Sequence, residues 1–414
     1  MDNVFDFRNR LINEYSSFSR SFSKVSAQDI LSKVEQEYDR GRYWPEPLIQ
    51  INPNYKRQST VQQLAHEGML HASCSHIFQT GKTEGKAADL HLYVHQLQAL
   101  AKAQKQQSYV VTTGTGSGKS LAFFVPIIDR ILKAKQADPQ KRTRAIVIYP
   151  MNALANSQLE ELDKFLHGYP DDQKPFTVAR YTGQESAAER QEIASNPPDI
   201  LLTNFMMLEL ILTRFEDVDR RVVEHCQGLE FLVLDELHTY RGRQGADVAL
   251  LVRRLRERLQ AHQLVCIGPS ATMSSTGTQA DRNQTVASVA SLLFGAQITE
   301  HDVIGETLER VTNPAKDIEA VKSLLKPALL KESYHWPDFA AFSDDPLAVW
   351  VELSLGIELP LDEPPRRARP VTLGDAAKRL ADDAQCTVEE AHAGLQRFLV
   401  AAHNVKTPQG RAPF

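Results

Sequence analysis

The stretch Thr112-Thr113-Gly114-Thr115-Gly116-Ser117-Gly118-Lys119-Ser120 constrains this chain more than any other. The apolar run Tyr109, Val110, Val111 precedes it, and a helical apolar pattern from Leu121 to Leu132 follows. The order is therefore strand, glycine-rich turn, helix. Glycines let successive backbone N–H groups converge on one anion, and the new helix adds its positive end. This predicts a phosphate cradle built from Thr113, Gly114, Thr115, Gly116, Ser117, Gly118, Lys119 and Ser120. Lys119 would reach the β- and γ-phosphates of a nucleoside triphosphate, and Ser120 would hold Mg²⁺. Where the strict motif has its first glycine, Thr113 stands.

Strand-like runs recur around this loop, at Val110-Val111, Ala145–Tyr149, Val178–Tyr181, Ile200–Thr203, Phe231–Leu234 and Leu264–Ile267. Helical patterns separate most of them. The alternation predicts an α/β lobe with a mostly parallel sheet and helices on both faces, in which ligands sit beyond the carboxyl ends of the strands. One strand ends in Asp235-Glu236-Leu237-His238. There Asp235 would meet Ser120 and hold the same Mg²⁺, while Glu236 would orient and activate an attacking water. Ser270-Ala271-Thr272 closes the next strand, where Ser270 and Thr272 would bond the acidic motif through His238 and couple nucleotide state to movement.

Together these three stretches resemble motifs I, II and III of superfamily 2 helicases of the DEAD/DEAH-box type. The resemblance implies a RecA-like fold, ATP with Mg²⁺ as cofactors, and ATP hydrolysis coupled to movement on a nucleic-acid strand. It also implies an adenine-reading role for Gln96, which lies 23 residues before Lys119. The continuation Thr239-Tyr240-Arg241-Gly242, then Val252-Arg253-Arg254-Leu255, is similar to the branch of RecQ4-like and MrfA-type DNA repair helicases. That similarity implies DNA rather than RNA, with movement 3′ to 5′.

The same comparison places strand contacts at Pro150 and Asn152, at Thr182 and Gly183, and at Thr203 and Asn204, where Asn204 replaces the usual proline. Backbone N–H groups, hydroxyls and amides there would meet phosphates without reading bases. The arginines at 241, 243, 253, 254, 256 and 258 form either a solvated helix face or a phosphate-tracking edge. A complete motor of this type has a second RecA-like lobe with a Gln-x-x-Gly-Arg-x-x-Arg signature. Nothing like it follows Thr272, and the basic run at 364–370 lacks the glycine. The resemblance covers about 91–300, so the chain is expected to be the front part of a longer helicase, or one half of a split motor.

The flanks read differently. Residues 1–90 are expected to be a helical region, with an apolar stripe at Phe7, Leu11, Tyr15, Phe18 and Phe22 and a capping box at Ser26-Ala27-Gln28-Asp29. Residues 301–414 lose the alternation and are expected to be a mainly helical accessory region. Its helices at about Leu373–Ala384 and after Thr387 could imitate a helix-turn-helix, but the second opens on Glu389 and Glu390, which suits phosphate contact poorly. His66, His71, Cys74 and His76 do not have the spacing of a zinc site.

A net charge of −5 gives no overall attraction to nucleic acid, so binding must come from a local groove. Four scattered cysteines without a C-x-x-C pair suit a reducing, cytoplasmic setting. The first residues have no secretory pattern, and no apolar run approaches a membrane span. Two rival functions share these motifs. One is a defence- or restriction-associated translocase that moves on duplex without unwinding it. The other is a nucleotide-gated nucleic-acid-binding module with no motor role.

Overall fold

The structure is a computed structural model that describes residues 3–22, 25–40, 46–114, 116–271, 278–360, 364–408 and 410–414. Two of the expected site residues, Thr115 and Thr272, lie outside the described residues. The chain divides into two compact units, Tyr55–Thr307 and a second made of Met1–Asn54 with Leu308–Phe414.

The first unit is built on seven strands: β1 (Tyr109–Thr112), β2 (Ala145–Tyr149), β3 (Val178–Tyr181), β4 (Ile200–Asn204), β5 (Phe231–Leu234), β6 (Val265–Ser270) and β7 (Val303–Gly305). They form one sheet in the order β7-β1-β6-β5-β2-β4-β3, and every pairing is parallel. The longer helices are α1 (Val94–Gln104), α2 (Leu121–Ala137), α3 (Asn152–Leu166), α4 (Ala187–Ser195), α5 (Phe205–Thr213), α6 (Asp217–His225), α7 (Gly242–Arg258) and α8 (Gln279–Phe294). Side chains alternate across each strand. Val111, Val147, Tyr149 and Val233 pack with α1, α2 and α3 on one face. Val110, Ile146, Ile148, Leu232 and Leu234 pack with α5, α6, α7 and α8 on the other. Covering on both faces is why the inner strands read as apolar runs.

The sequence pattern sets boundaries at 90/91 and 300/301, whereas the compact units divide at 54/55 and 307/308. Two pairings account for the difference. Arg57–Thr60 pairs antiparallel with His91–Tyr93, which leads straight into α1. At the other end β7 runs alongside β1 in register Val303↔Val110.

In the other unit, Trp350, Phe342 and Phe398 are fully buried among helices Ile318–Leu329, Pro346–Val351, Leu373–Ala384 and Val388–Ala402. Thr372 and Thr387 cap the last two helices, and Gly394 allows the final one to approach Leu329 closely. The N-terminal helices form at Val4–Ser21 and Gln28–Asp39. The capping box expected at Ser26 does not: Ala27 is the N-cap and no side chain bonds the helix start. The apolar stripe of the first helix lies exposed, with Phe18 58% and Phe22 72% accessible. Among the described residues, no helix is long and apolar enough to cross a membrane.

Candidate functional site

The glycine loop joins β1 to α2 at the carboxyl edge of the sheet. Thr113, at the position where glycine is usual, shares a 2.7 Å hydrogen bond between its hydroxyl and that of Ser117, so the loop is braced from within. Gly118 has φ +65°, and a Cβ there would stand 2.7 Å from Gln96 Nε2, so a side chain at this position would be strained and would displace Gln96. Gln96 is buried, its Nε2 donates to the Gly118 carbonyl at 2.8 Å, and its Oε1 accepts the Tyr93 N–H at 2.8 Å. One end of this amide thus caps α1 and the other ties α1 to the loop. His95 adds a contact from Nε2 to the Ser117 carbonyl at 3.0 Å, and burial lowers its pKa. On the β7 side, the Gly114 N–H donates to Glu306 Oε2 at 3.1 Å, a brace that no motif announces. Ser120 opens α2 without using its hydroxyl as a cap.

The acidic turn sits at the same edge, one strand away across β6. Asp235 N–H bonds the Ile148 carbonyl at 2.9 Å and fixes the end of β5. Burial, followed by the neighbouring Glu236 carboxylate, pushes the Asp235 pKa up to about 6. The Glu236 N–H and the charge of Lys119 oppose that rise, which puts the lysine and the acid within electrostatic reach. Glu236 itself adopts φ +50°, the left-handed region, and starts a short turn at Leu237–Thr239. The hydroxyls of Tyr149 and Tyr240 are buried without hydrogen-bond partners, and both are driven to higher pKa first by burial and then by Asp235.

His238 links the acid pair to β6. Its Nδ1 lies 3.2 Å from Glu236 Oε2, 3.4 Å from Ser270 Oγ and 3.4 Å from the Ala271 nitrogen. One ring nitrogen can donate to Glu236 or accept from Ala271, not both at once, so its tautomer selects the partner. Gly268 permits this closeness: a Cβ there would lie 2.7 Å from Leu237 Cδ2 and 3.0 Å from Phe294 Cζ.

Beyond β2, β4 and β3, Asn152, Asn204, Thr182 and Gly183 are linked by hydrogen bonds. Asn204 Nδ2 donates to Asn152 Oδ1 at 2.7 Å and to the Thr182 carbonyl at 3.0 Å, and its Oδ1 accepts the Met207 N–H at 2.7 Å. Pro150 lies in the turn before α3, half-buried. Thr203 faces inward, fully buried, with its hydroxyl on the Tyr181 carbonyl at 2.6 Å. Thr182 and Gly183 give their N–H groups to Glu185, which no sequence motif singles out. Three arginines of α7 are engaged within the protein: Arg254 pairs with Glu209, Arg253 bonds the Leu292 carbonyl, and Arg256 bonds that of Phe294. Arg243 and Arg258 lie exposed on the same helix.

A parallel sheet that carries a glycine loop before one helix, an acid pair on the next strand but one and a Ser-Ala turn between them defines a RecA-like nucleotide lobe. Residues 93–280 match the DEAD/DEAH box helicase family. The chain is 34% identical over 186 residues to the uncharacterized ATP-dependent helicase YprA of Bacillus subtilis, covering 44% of this chain and 23% of that protein. It is 33% identical over 186 residues to the Lhr helicase/uracil glycosylase of Escherichia coli, covering 42% and 12%. The chain therefore spans less than a quarter of either relative. A crystal structure of the helicase MrfA bound to DNA aligns at 24% identity and a TM-score of 0.47, over 68% of this chain and 35% of that one.

Proposed function

We propose that this chain carries the ATP-binding motor lobe of a nucleic-acid helicase or translocase, with DNA favoured over RNA. The observation that carries the reading is the half-buried Asp235–Glu236 pair, with Asp235 in electrostatic reach of Lys119 at one sheet edge. The family and the ATP-dependent helicases it resembles support the same reading.

The residues fit a triphosphate with Mg²⁺. Ser120 and Asp235 are hard oxygen donors, the kind Mg²⁺ takes in small number alongside phosphate oxygens. Asp235, disfavoured as an anion when alone, is stabilised by a cation beside it. When bound, the metal neutralises charge on the phosphates and on that carboxylate. Lys119 and the loop N–H groups hold the β- and γ-phosphates. Glu236 orients the attacking water and accepts its proton. His238 passes the state of Glu236 to Ser270 on β6. Asn152 and Asn204 tie the loops that meet the strand. Full turnover needs a positive charge on the γ-phosphate from a second RecA-like lobe, so this lobe by itself is expected to hydrolyse ATP about 10³-fold or more below a complete motor.

The test is fluorescent-ATP binding with Mg²⁺, followed by single-turnover hydrolysis. Lys119→Ala should abolish binding, and Glu236→Gln should bind within about twofold of the parent while hydrolysis falls about 100-fold or more. Hydrolysis that survives Glu236→Gln refutes the assignment of the base. A strand-displacement assay beside triplex displacement, on the chain supplied with its second lobe, separates a helicase from a duplex translocase.

A further inference from the structure

The loop after β3 carries a finished anion site that the chain fills with its own side chain. Four donors converge on the Glu185 carboxylate. Thr182 N–H and Gly183 N–H reach Oε2 at 2.7 and 2.9 Å. Thr182 Oγ1 and Arg180 Nε reach Oε1 at 3.0 and 2.6 Å. The Glu185 side chain is only 4% exposed, although Gly183, Gln184 and Ser186 around it are open to solvent. Two amides, a hydroxyl and a guanidinium are the donor set that recognises a phosphodiester. A carboxylate has the same charge and the same kind of acceptor oxygens.

We infer that Glu185 is a built-in stand-in for a strand phosphate, occupying the Thr182–Gly183 cradle at rest and leaving it when a nucleic-acid backbone enters. This rests on the strand-binding reading above and adds a device that regulates it. Departure of Glu185 leaves its surroundings intact. The N-cap of α4 is held separately, by Ser186 and Glu189 bonding each other's backbone N–H groups. Arg180 keeps its bond to Asn156 Oδ1 at 2.6 Å, and the Thr182 carbonyl keeps Asn204. Strand affinity at this loop is therefore set by competition between two anions for one cradle.

The experiment measures anisotropy of a fluorescein-labelled oligothymidylate against NaCl concentration, using the full chain. Glu185→Ala should bind about 3- to 10-fold more tightly, with the slope of log K on log salt steeper by about 0.7, the value of one added phosphate contact on a single strand. Glu185→Gln keeps an acceptor for the amides but removes the negative charge that faces Arg180. It should gain affinity too, and it serves if the alanine variant melts early. Glu189→Gln, an exposed charge nearby, should change affinity less than twofold. Unchanged or weaker binding in both Glu185 variants, or a gain with no change of slope, overturns the inference in favour of a loop brace. Asn204→Ala tests the underlying reading separately. If it weakens binding while the Glu185 variants gain nothing, strand binding stands and the stand-in falls. If no form binds, wild type included, both fall.

Discussion

Replacing Asp235 with asparagine is expected to stabilise the nucleotide-free lobe at neutral pH while ending its chemistry. The carboxyl is pushed from its ordinary value of 3.8 to about 6, by burial first and by Glu236 second. The folded form therefore holds a proton that the unfolded form has already released. Stability must fall as pH rises from about 4 to above 6, because over that window the native state binds more protons. The two-unit difference corresponds to about 3 kcal/mol, present as a penalty in full above pH 7 and absent near pH 4. A neutral amide has no charge to bury, so Asp235→Asn should melt about 5–10 °C higher than wild type at pH 7.5. The gap should close as the buffer approaches pH 4.5. Differential scanning calorimetry across that range measures it directly. Saturating ATP with Mg²⁺ should raise the wild-type midpoint and leave the variant nearly unmoved, since it offers no carboxylate to the metal. An Asp235→Asn protein less stable than wild type at pH 7.5, or one whose advantage does not depend on pH, would refute this account of the acid.

Other perturbations report on neighbouring parts. Gly268→Ala forces a methyl against Leu237 and Phe294, and urea unfolding should show a loss of about 1–3 kcal/mol. Gln96→Ala removes the bond to the Gly118 carbonyl, so fluorescent ATP and GTP analogues should both bind about 5- to 10-fold more weakly. A loss confined to the adenine nucleotide would show instead that Gln96 reads the base. His238→Ala should leave nucleotide affinity within about twofold and reduce stimulation of hydrolysis by DNA in a completed motor.

The sheet and the nucleotide loops are legible in the sequence because they rest on local pattern. Five strands carry unbroken apolar runs and the edge strand β3 is broken only by Arg180, while Gly114 to Ser120 and Asp235 to His238 are motifs whose spacing follows from the chemistry of phosphate and metal. The seventh strand is hidden: Val303 and Ile304 are two residues behind a short turn, too few to show a period, and only pairing with β1 makes them a strand. Arg57–Thr60 escapes for the same reason, because its partner His91–Tyr93 lies far along the chain. Glu185 and Glu306 cannot be singled out either. Each is an ordinary surface acid in sequence, and its meaning comes from backbone N–H groups that the fold turns towards it. Thr203 shows the reverse, a hydroxyl expected to face the strand that the β3–β4 pairing turns inward.

The left-handed backbone at Glu236 has a consequence for how this lobe can be improved. A side chain other than glycine in that conformation carries a strain of about 1–2 kcal/mol. Glycine or asparagine at 236 would relax it, so a library screened for heat resistance alone would drift there early. The survivors would be sturdier proteins that grip nucleotide and never turn it over. Selection for thermal endurance and selection for work pull in opposite directions at this one residue, and any engineering campaign on the lobe must hold it fixed.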